Sequence, residues 1–123
     1  RCRWCEPLGG VVWQCAGANA FGKTRDADLA AHPTLKPAEL LESALKDCTK
    51  RGEIVLDVFG GSGSTMLAAE RCGRKARLIE IDPRYVDVTL NRMRRVFELE
   101  PVLASTGQSF DEVAAERRAA TQN

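Results

Sequence analysis

The apolar positions of this chain change period along its middle third, and each change marks an element. Leu40, Leu41, Ala44, Leu45 and Cys48 recur at three- and four-residue steps, which predicts an amphipathic helix over residues 37–50. Pro33 and Pro37 hold His32–Pro37 extended, and Pro37 suits the first position of that helix. Lys50-Arg51-Gly52 closes it with basic residues followed by a glycine. An apolar run then ends in an acid and predicts a strand over residues 53–57, ahead of glycines at 60, 61 and 63. A helix is expected from about Ser62 to Cys72, stopped by Gly73. Ala76–Ile81 is nearly all apolar and predicts a second, largely buried strand. Asp82-Pro83 caps a further helix, with Val86, Leu90, Met93 and Phe97 on its buried side. Ser109 and Glu112 form a capping box for a short last helix, beyond which the terminus should fray. Ahead of all this, Val11–Trp13 suits a short strand, residues 1–10 have no period, and residues 22–31 suit a charged loop.

Strand, glycine-rich turn, helix and strand in that order make half of a nucleotide-binding α/β unit. Glycines let a ligand lie against the backbone, and the start of the next helix turns its amides and positive dipole end toward it. A plain turn between a strand and a helix would have the same pattern. Asp57, at the carboxyl end of the first strand, suits a positive group on a ligand. Glu80 follows 23 residues later, at the end of the second strand, where an acid of such a unit bonds ribose hydroxyls. No lysine follows Gly63, so the loop is not a P-loop. The third small residue of a dinucleotide fingerprint is replaced by Met66, which should obstruct close helix–strand packing. An ammonium and sulfonium ligand without phosphate, S-adenosylmethionine, matches the polarity of an acid-flanked loop better than a pyrophosphate does.

Composition narrows the partners. The 123 residues suffice for one small domain, and 18 basic against 17 acidic residues give no global field to recruit nucleic acid. Local basic clusters, from Arg71 to Arg77 and at Arg92, Arg94 and Arg95, read as solvated helix faces ahead of a DNA contact. Five cysteines include one C-x-x-C pair, Cys2 and Cys5, with no second pair at zinc spacing, so no metal site is expected. Nothing resembles a signal peptide or membrane span, and a reducing cytoplasm is the expectation. The chain starts at Arg1 and not at methionine, which suggests a fragment or processed start.

Three segments together resemble the DNA amino-methyltransferases that modify adenine N6 or cytosine N4. His32-Pro33-Thr34-Leu35-Lys36-Pro37 resembles that family's His-Pro-Thr-x-Lys-Pro motif. Asp57-Val58-Phe59-Gly60-Gly61-Ser62-Gly63-Ser64-Thr65 is similar to its Asp-Pro-Phe-x-Gly-Ser-Gly-Thr-Thr motif, and Glu80-Ile81-Asp82-Pro83-Arg84-Tyr85 to its Glu-x-Asp-Pro-x-Tyr segment. Val12 to Phe21 also resembles the stretch before the first motif. The order resembles the permuted, beta-like subgroup, in which the catalytic half comes first and the cofactor half last.

The resemblance implies an α/β, partial Rossmann-like S-adenosylmethionine-dependent methyltransferase fold, with two core parallel strands, flanking helices and an incomplete sheet. It implies an irregular segment over residues 1–31, a cofactor subdomain over 32–100 and a tail with a short helix over 101–123. Asp57, Phe59, Gly61, Ser62 and Gly63 would hold the methionine end and adenosine, Thr34 and Lys36 would lie by the methionine carboxylate, and Glu80 would bind the ribose. His32 would order its loop. Transfer in the family is direct, without a covalent enzyme intermediate or a metal.

The departures bear on activity. Val58 replaces a proline, which loosens the turn after Asp57, and Ser64 replaces a threonine. The family's Asp/Asn/Ser-Pro-Pro-aromatic motif binds the target amine and stacks on the flipped base, and no Pro-Pro occurs here. Asp82-Pro83-Arg84-Tyr85 has arginine in place of the second proline and lies after the wrong strand. No catalytic residue is therefore assigned. In the permuted order the catalytic and DNA-reading regions precede the His-Pro-Thr motif, whereas only 31 residues do so here. The expectation is the cofactor-binding end of a bacterial or phage-like restriction-modification methyltransferase, meeting DNA through its missing front half, inactive alone, and leaving an open sheet edge for an oligomer or complementing chain. The alternatives are a non-catalytic remnant that binds the cofactor or nothing, and a fragment of a nicotinamide or nucleotide enzyme.

Overall fold

The computed structural model describes residues 38–121. Expectations for Val11–Trp13, for the C-x-x-C pair and for His32–Pro37 lie outside the described residues. The elements are helix α1 (Ala38–Cys48), strand β1 (Ile54–Asp57), helix α2 (Ser64–Cys72), strand β2 (Lys75–Leu78), helix α3 (Pro83–Phe97) and helix α4 (Phe110–Thr121). The chain divides into two compact units whose boundary falls between Thr89 and Leu90, inside α3.

In the first unit β1 and β2 pair in parallel, with Ile54 opposite Lys75 and Asp57 opposite Leu78. The ladder continues past both ends. The Lys75 N–H donates to the Glu53 carbonyl at 2.9 Å, the Ile79 N–H to the Asp57 carbonyl at 2.9 Å, and the Gly60 N–H to the Ile79 carbonyl at 2.9 Å. Parallel neighbours need a crossover, and α2 supplies it, packing against both β2 and α1. The buried side of α2 is Leu67, Ala68, Ala69 and Cys72, with both alanines fully buried. Small side chains allow a close approach, so Met66, expected to obstruct packing, is only half-buried and the helix still docks. Gly73 ends α2 in the left-handed region at φ 69°, and the Arg74 N–H donates back to the Ala69 carbonyl at 2.8 Å, a Schellman closure.

The second strand is shorter than its apolar run. Pairing assigned to β2 stops at Leu78, and Ile79 and Ile81 are exposed instead of buried. On β1, Ile54 and Leu56 are 62% and 65% exposed, beside the exposed Lys75 and Arg77 of β2. Parallel sheets are normally covered on both faces. Among the described residues this sheet is covered on one, which leaves the apolar edge and face that the short strand count implied.

In the second unit a guanidinium organises the chain. Arg94 donates to both Asp111 carboxylate oxygens at 3.0 and 2.7 Å, lies 3.3 Å from a Glu100 oxygen, and sits over the Phe110 ring at 5.5 Å. The predicted capping box forms at α4: the Ser109 N–H donates to Glu112 Oε2 at 2.7 Å, and the Glu112 N–H to Ser109 Oγ at 3.4 Å. Along α3, Met93 is buried and Leu90 and Phe97 are half-buried as expected. Val86 is exposed, and Thr89 and Arg92 are buried in the same stripe.

The basic run from Arg71 to Arg77 has separate structural fates. Arg71 pairs with Glu42 of α1 at 3.3 Å. Arg74 is buried and donates to the Thr49 hydroxyl at 3.1 Å, the Thr49 carbonyl at 2.7 Å and the Cys72 carbonyl at 2.6 Å. It thereby satisfies carbonyls at the ends of both α1 and α2, which lack acceptable partners within their own helices. Arg74→Met keeps much of the aliphatic bulk but strands those carbonyls. Denaturant titration should show a loss of about 2–4 kcal/mol, the range for charge-assisted hydrogen bonds whose part-buried and buried acceptors are left unpaired.

Candidate functional site

The site grows from the carboxyl ends of the two strands. Asp57 ends β1, and its Oδ1 accepts the Phe59 N–H at 3.0 Å, an Asx turn that bends the chain into the glycine loop. Its Oδ2 accepts the Thr65 hydroxyl, from the first turn of α2, at 2.6 Å. The carboxylate therefore ties both ends of the loop, and these bonds hold the bend at Val58, where the resembled motif has proline. Phe59 leaves the turn 85% exposed.

Glu80 lies just past β2 and reaches across to the same loop. Its Oε2 accepts the Gly61 N–H at 2.6 Å and its Oε1 accepts the Asp82 N–H at 2.9 Å. The Asp82 amide first and the Gly61 amide next hold its carboxyl below the usual range, with a lesser contribution from the Ile81 amide. An ionised carboxylate has about four acceptor directions, so these amides leave capacity for a ligand hydroxyl. Ile81, the next residue, is 96% exposed. Asp82 caps α3 by accepting the Arg84 N–H at 2.9 Å, and its carboxyl is lowered chiefly by the Arg84 side chain.

Gly63 begins α2 in the left-handed region at φ 78°. A Cβ there would stand 2.4 Å from the Thr89 methyl, so the backbone passes against α3 where only glycine fits. The Thr89 hydroxyl donates to the Gly61 carbonyl at 3.1 Å. Gly61 is itself left-handed at φ 53°, and both polar groups of this residue are taken, the N–H by Glu80 and the carbonyl by Thr89.

Of the residues singled out from the sequence, Asp57, Phe59, Gly61, Ser62, Gly63 and Glu80 lie on this loop or the turn facing it, with Ser62 and Gly63 buried. Thr34 and Lys36 lie outside the described residues. Thr65 and Thr89 were not singled out. A threonine three residues after Val86 and four before Met93 stands inside an apolar helical stripe, and that polar interruption was the available signal. Among the described residues no three histidine, cysteine or acidic side chains group as metal ligands, and no helix is long and apolar enough to cross a membrane.

A profile of the DNA methylase family, N6 and N4 type, matches residues 6–91, more than half of the chain. The chain belongs to that family. It is 35% identical over 92 residues to the type II methyltransferase M.ScaI of Streptomyces caespitosus, covering 72% of this chain and 30% of that protein. To the type II methyltransferase M.HinfI of Haemophilus influenzae it is 33% identical over 86 residues, 69% of this chain and 24% of that one. Among solved structures, the cytosine-N4-specific PvuII DNA methyltransferase aligns with a TM-score of 0.52 and 33% identity, over 63% of this chain and 29% of its own. This DNA methylase chain thus spans less than a third of the length of those relatives.

The Glu80 bridge has a pH signature. Its folded pKa is depressed, so the bridge contributes fully above about pH 4, the unfolded carboxylate range, and is lost as pH falls through the lowered value. Thermal melts should show the parent chain losing the bridge's contribution on that acid side. Glu80→Gln should be less stable at pH 7, with a shallower fall below pH 4; equal pH slopes for the two chains would exclude the bridge.

Proposed function

We propose that this chain is the S-adenosylmethionine-binding, C-terminal portion of a site-specific DNA methyltransferase of the permuted subgroup, acting on adenine N6 or cytosine N4. The observation that carries it is the pairing of Asp57 and Glu80 at the carboxyl ends of adjacent parallel strands, on either side of one glycine loop. Ligands of open α/β sheets bind outside those strand ends.

The donor set fits the cofactor. Two carboxylates suit an ammonium and a pair of ribose hydroxyls and disfavour a pyrophosphate. The exposed Phe59 ring and Ile81 side chain offer apolar surface for an adenine beside them. Asp57 would take the positive methionine end, Glu80 the ribose, and the backbone of Gly61–Gly63 would line the site, with Thr34 and Lys36 of the resembled motif near the carboxylate. Bound there, S-adenosylmethionine supplies an electrophilic methyl on its sulfonium. The role of these residues is to bind and orient it. The groups that hold a target amine and stack on a flipped base are not among these residues, so this chain alone binds without transferring. A partner segment carrying them, on the same protein or a complementing chain, would complete the enzyme and bring it to DNA.

Calorimetric titration tests this reading. The 123-residue chain should bind S-adenosylmethionine saturably and show no heat with NAD. Asp57→Ala should weaken binding about tenfold to a hundredfold, the worth of one charge-assisted hydrogen bond. A folded chain that takes up no S-adenosylmethionine would overturn it.

A further inference from the structure

The glycine loop is shaped from outside itself, and Thr89 of α3 is the residue that does this from behind. Thr89 is 6% exposed, and its side chain does two things at once. The hydroxyl donates to the Gly61 carbonyl at 3.1 Å, and the methyl lies 2.4 Å from where a Cβ on residue 63 would stand, too close for one. Gly61 and Gly63 are both left-handed, at φ 53° and 78°, a conformation that free glycine leaves as readily as it enters. Something must select it. Asp57 ties the loop's two ends through Phe59 and Thr65, and Glu80 holds the Gly61 N–H. The carbonyl side of that same residue is left to Thr89.

We infer that Thr89 is a positioning residue of the ligand loop: by anchoring the Gly61 carbonyl and packing against Gly63 it makes the loop's binding conformation depend on the seating of α3. A polar side chain in the buried stripe of a helix costs burial of a hydroxyl, and here that hydroxyl has a partner on the loop. The consequence is directional. Because Glu80 and Thr89 both belong to the segment that follows β2, the first strand's loop is set by the second half of the unit. Ligand binding on the loop and placement of α3 are therefore coupled, by as much as the loop's alternative conformations are populated without Thr89. This inference rests on the cofactor reading only for what the ligand is.

The test separates loop geometry from ligand identity. Amide exchange of the 123-residue chain is followed by NMR without ligand, then S-adenosylmethionine is titrated, for the parent, Thr89→Val and Thr89→Ser. Valine keeps the shape and removes the hydroxyl; serine keeps the hydroxyl. Valine should speed exchange at Gly61 and Gly63 about threefold to tenfold, the worth of one hydrogen bond, and weaken binding by a similar factor while serine stays within about twofold of the parent. Exchange at Gly61 and Gly63 unchanged in valine, or raised evenly along α2 and α3, would overturn the inference. Selective loosening of the loop in a chain that never binds S-adenosylmethionine would sustain the positioning role and overturn the cofactor reading instead. Should the valine chain fail to fold, serine decides: parent-like exchange at Gly61 and Gly63 supports the anchor, and raised exchange there refutes it.

Discussion

One residue, Gly61, ties the loop after β1 to the segment that follows β2. Its N–H is taken by the Glu80 carboxylate at 2.6 Å and its carbonyl by the Thr89 hydroxyl at 3.1 Å. Both partners come from beyond β2, while the loop itself comes from the end of β1. A parallel strand pair has no hairpin to tie its strand ends together, so loops at that edge must be fixed by side chains or by a ligand. Here side chains do it, and each also has a second task. Glu80 turns the chain from β2 into α3 by accepting the Asp82 N–H, Asp57 makes the first turn by accepting the Phe59 N–H, and Thr89 packs against Gly63.

Glu80 at this edge is stable as an anion because backbone amides surround it. Glu80 is held below its usual range by amides alone, without a cation. A carboxylate held this way stays charged at neutral pH and keeps lone pairs for a further hydrogen-bond donor. The opposite end of the unit uses a cation in the mirrored role. Arg74, buried at the carboxyl ends of α1 and α2, caps carbonyls there just as the acids take up amides at the strand ends. The two ends divide the labour between the proposed binding edge and a structural one.

The core between them is small. Leu67, Ala68, Ala69 and Cys72 are its buried apolar residues on α2, and Ile54 and Leu56 face outward from β1. The chain spans 30% of M.ScaI and 24% of M.HinfI. The apolar side chains left outside at Ile54 and Leu56 are of the kind that a wider sheet with helices on both faces would bury.

Much of the architecture was legible in one dimension because its signals are local. The amphipathic period gave α1, the Asp82-Pro83 cap gave the start of α3, and the Ser109–Glu112 box gave α4. The glycines at 61 and 63, with acids at 57 and 80, likewise marked the loop and its flanks, since backbone conformation and strand-end charge are properties of single positions. What the chain order could not decide was where side chains from different elements meet. The run to Ile81 looked like strand, but pairing ends with Ile79, and Glu80 turns back to two backbone amides. Met66 looked obstructive, yet the close packing is made by Ala68 and Ala69. Thr89 looked like an ordinary helical threonine until α3 was laid against Gly63. Local chemistry determined the elements and the charged loop; the tertiary structure alone decided which donor meets which acceptor, because those partners lie 19 and 28 residues apart.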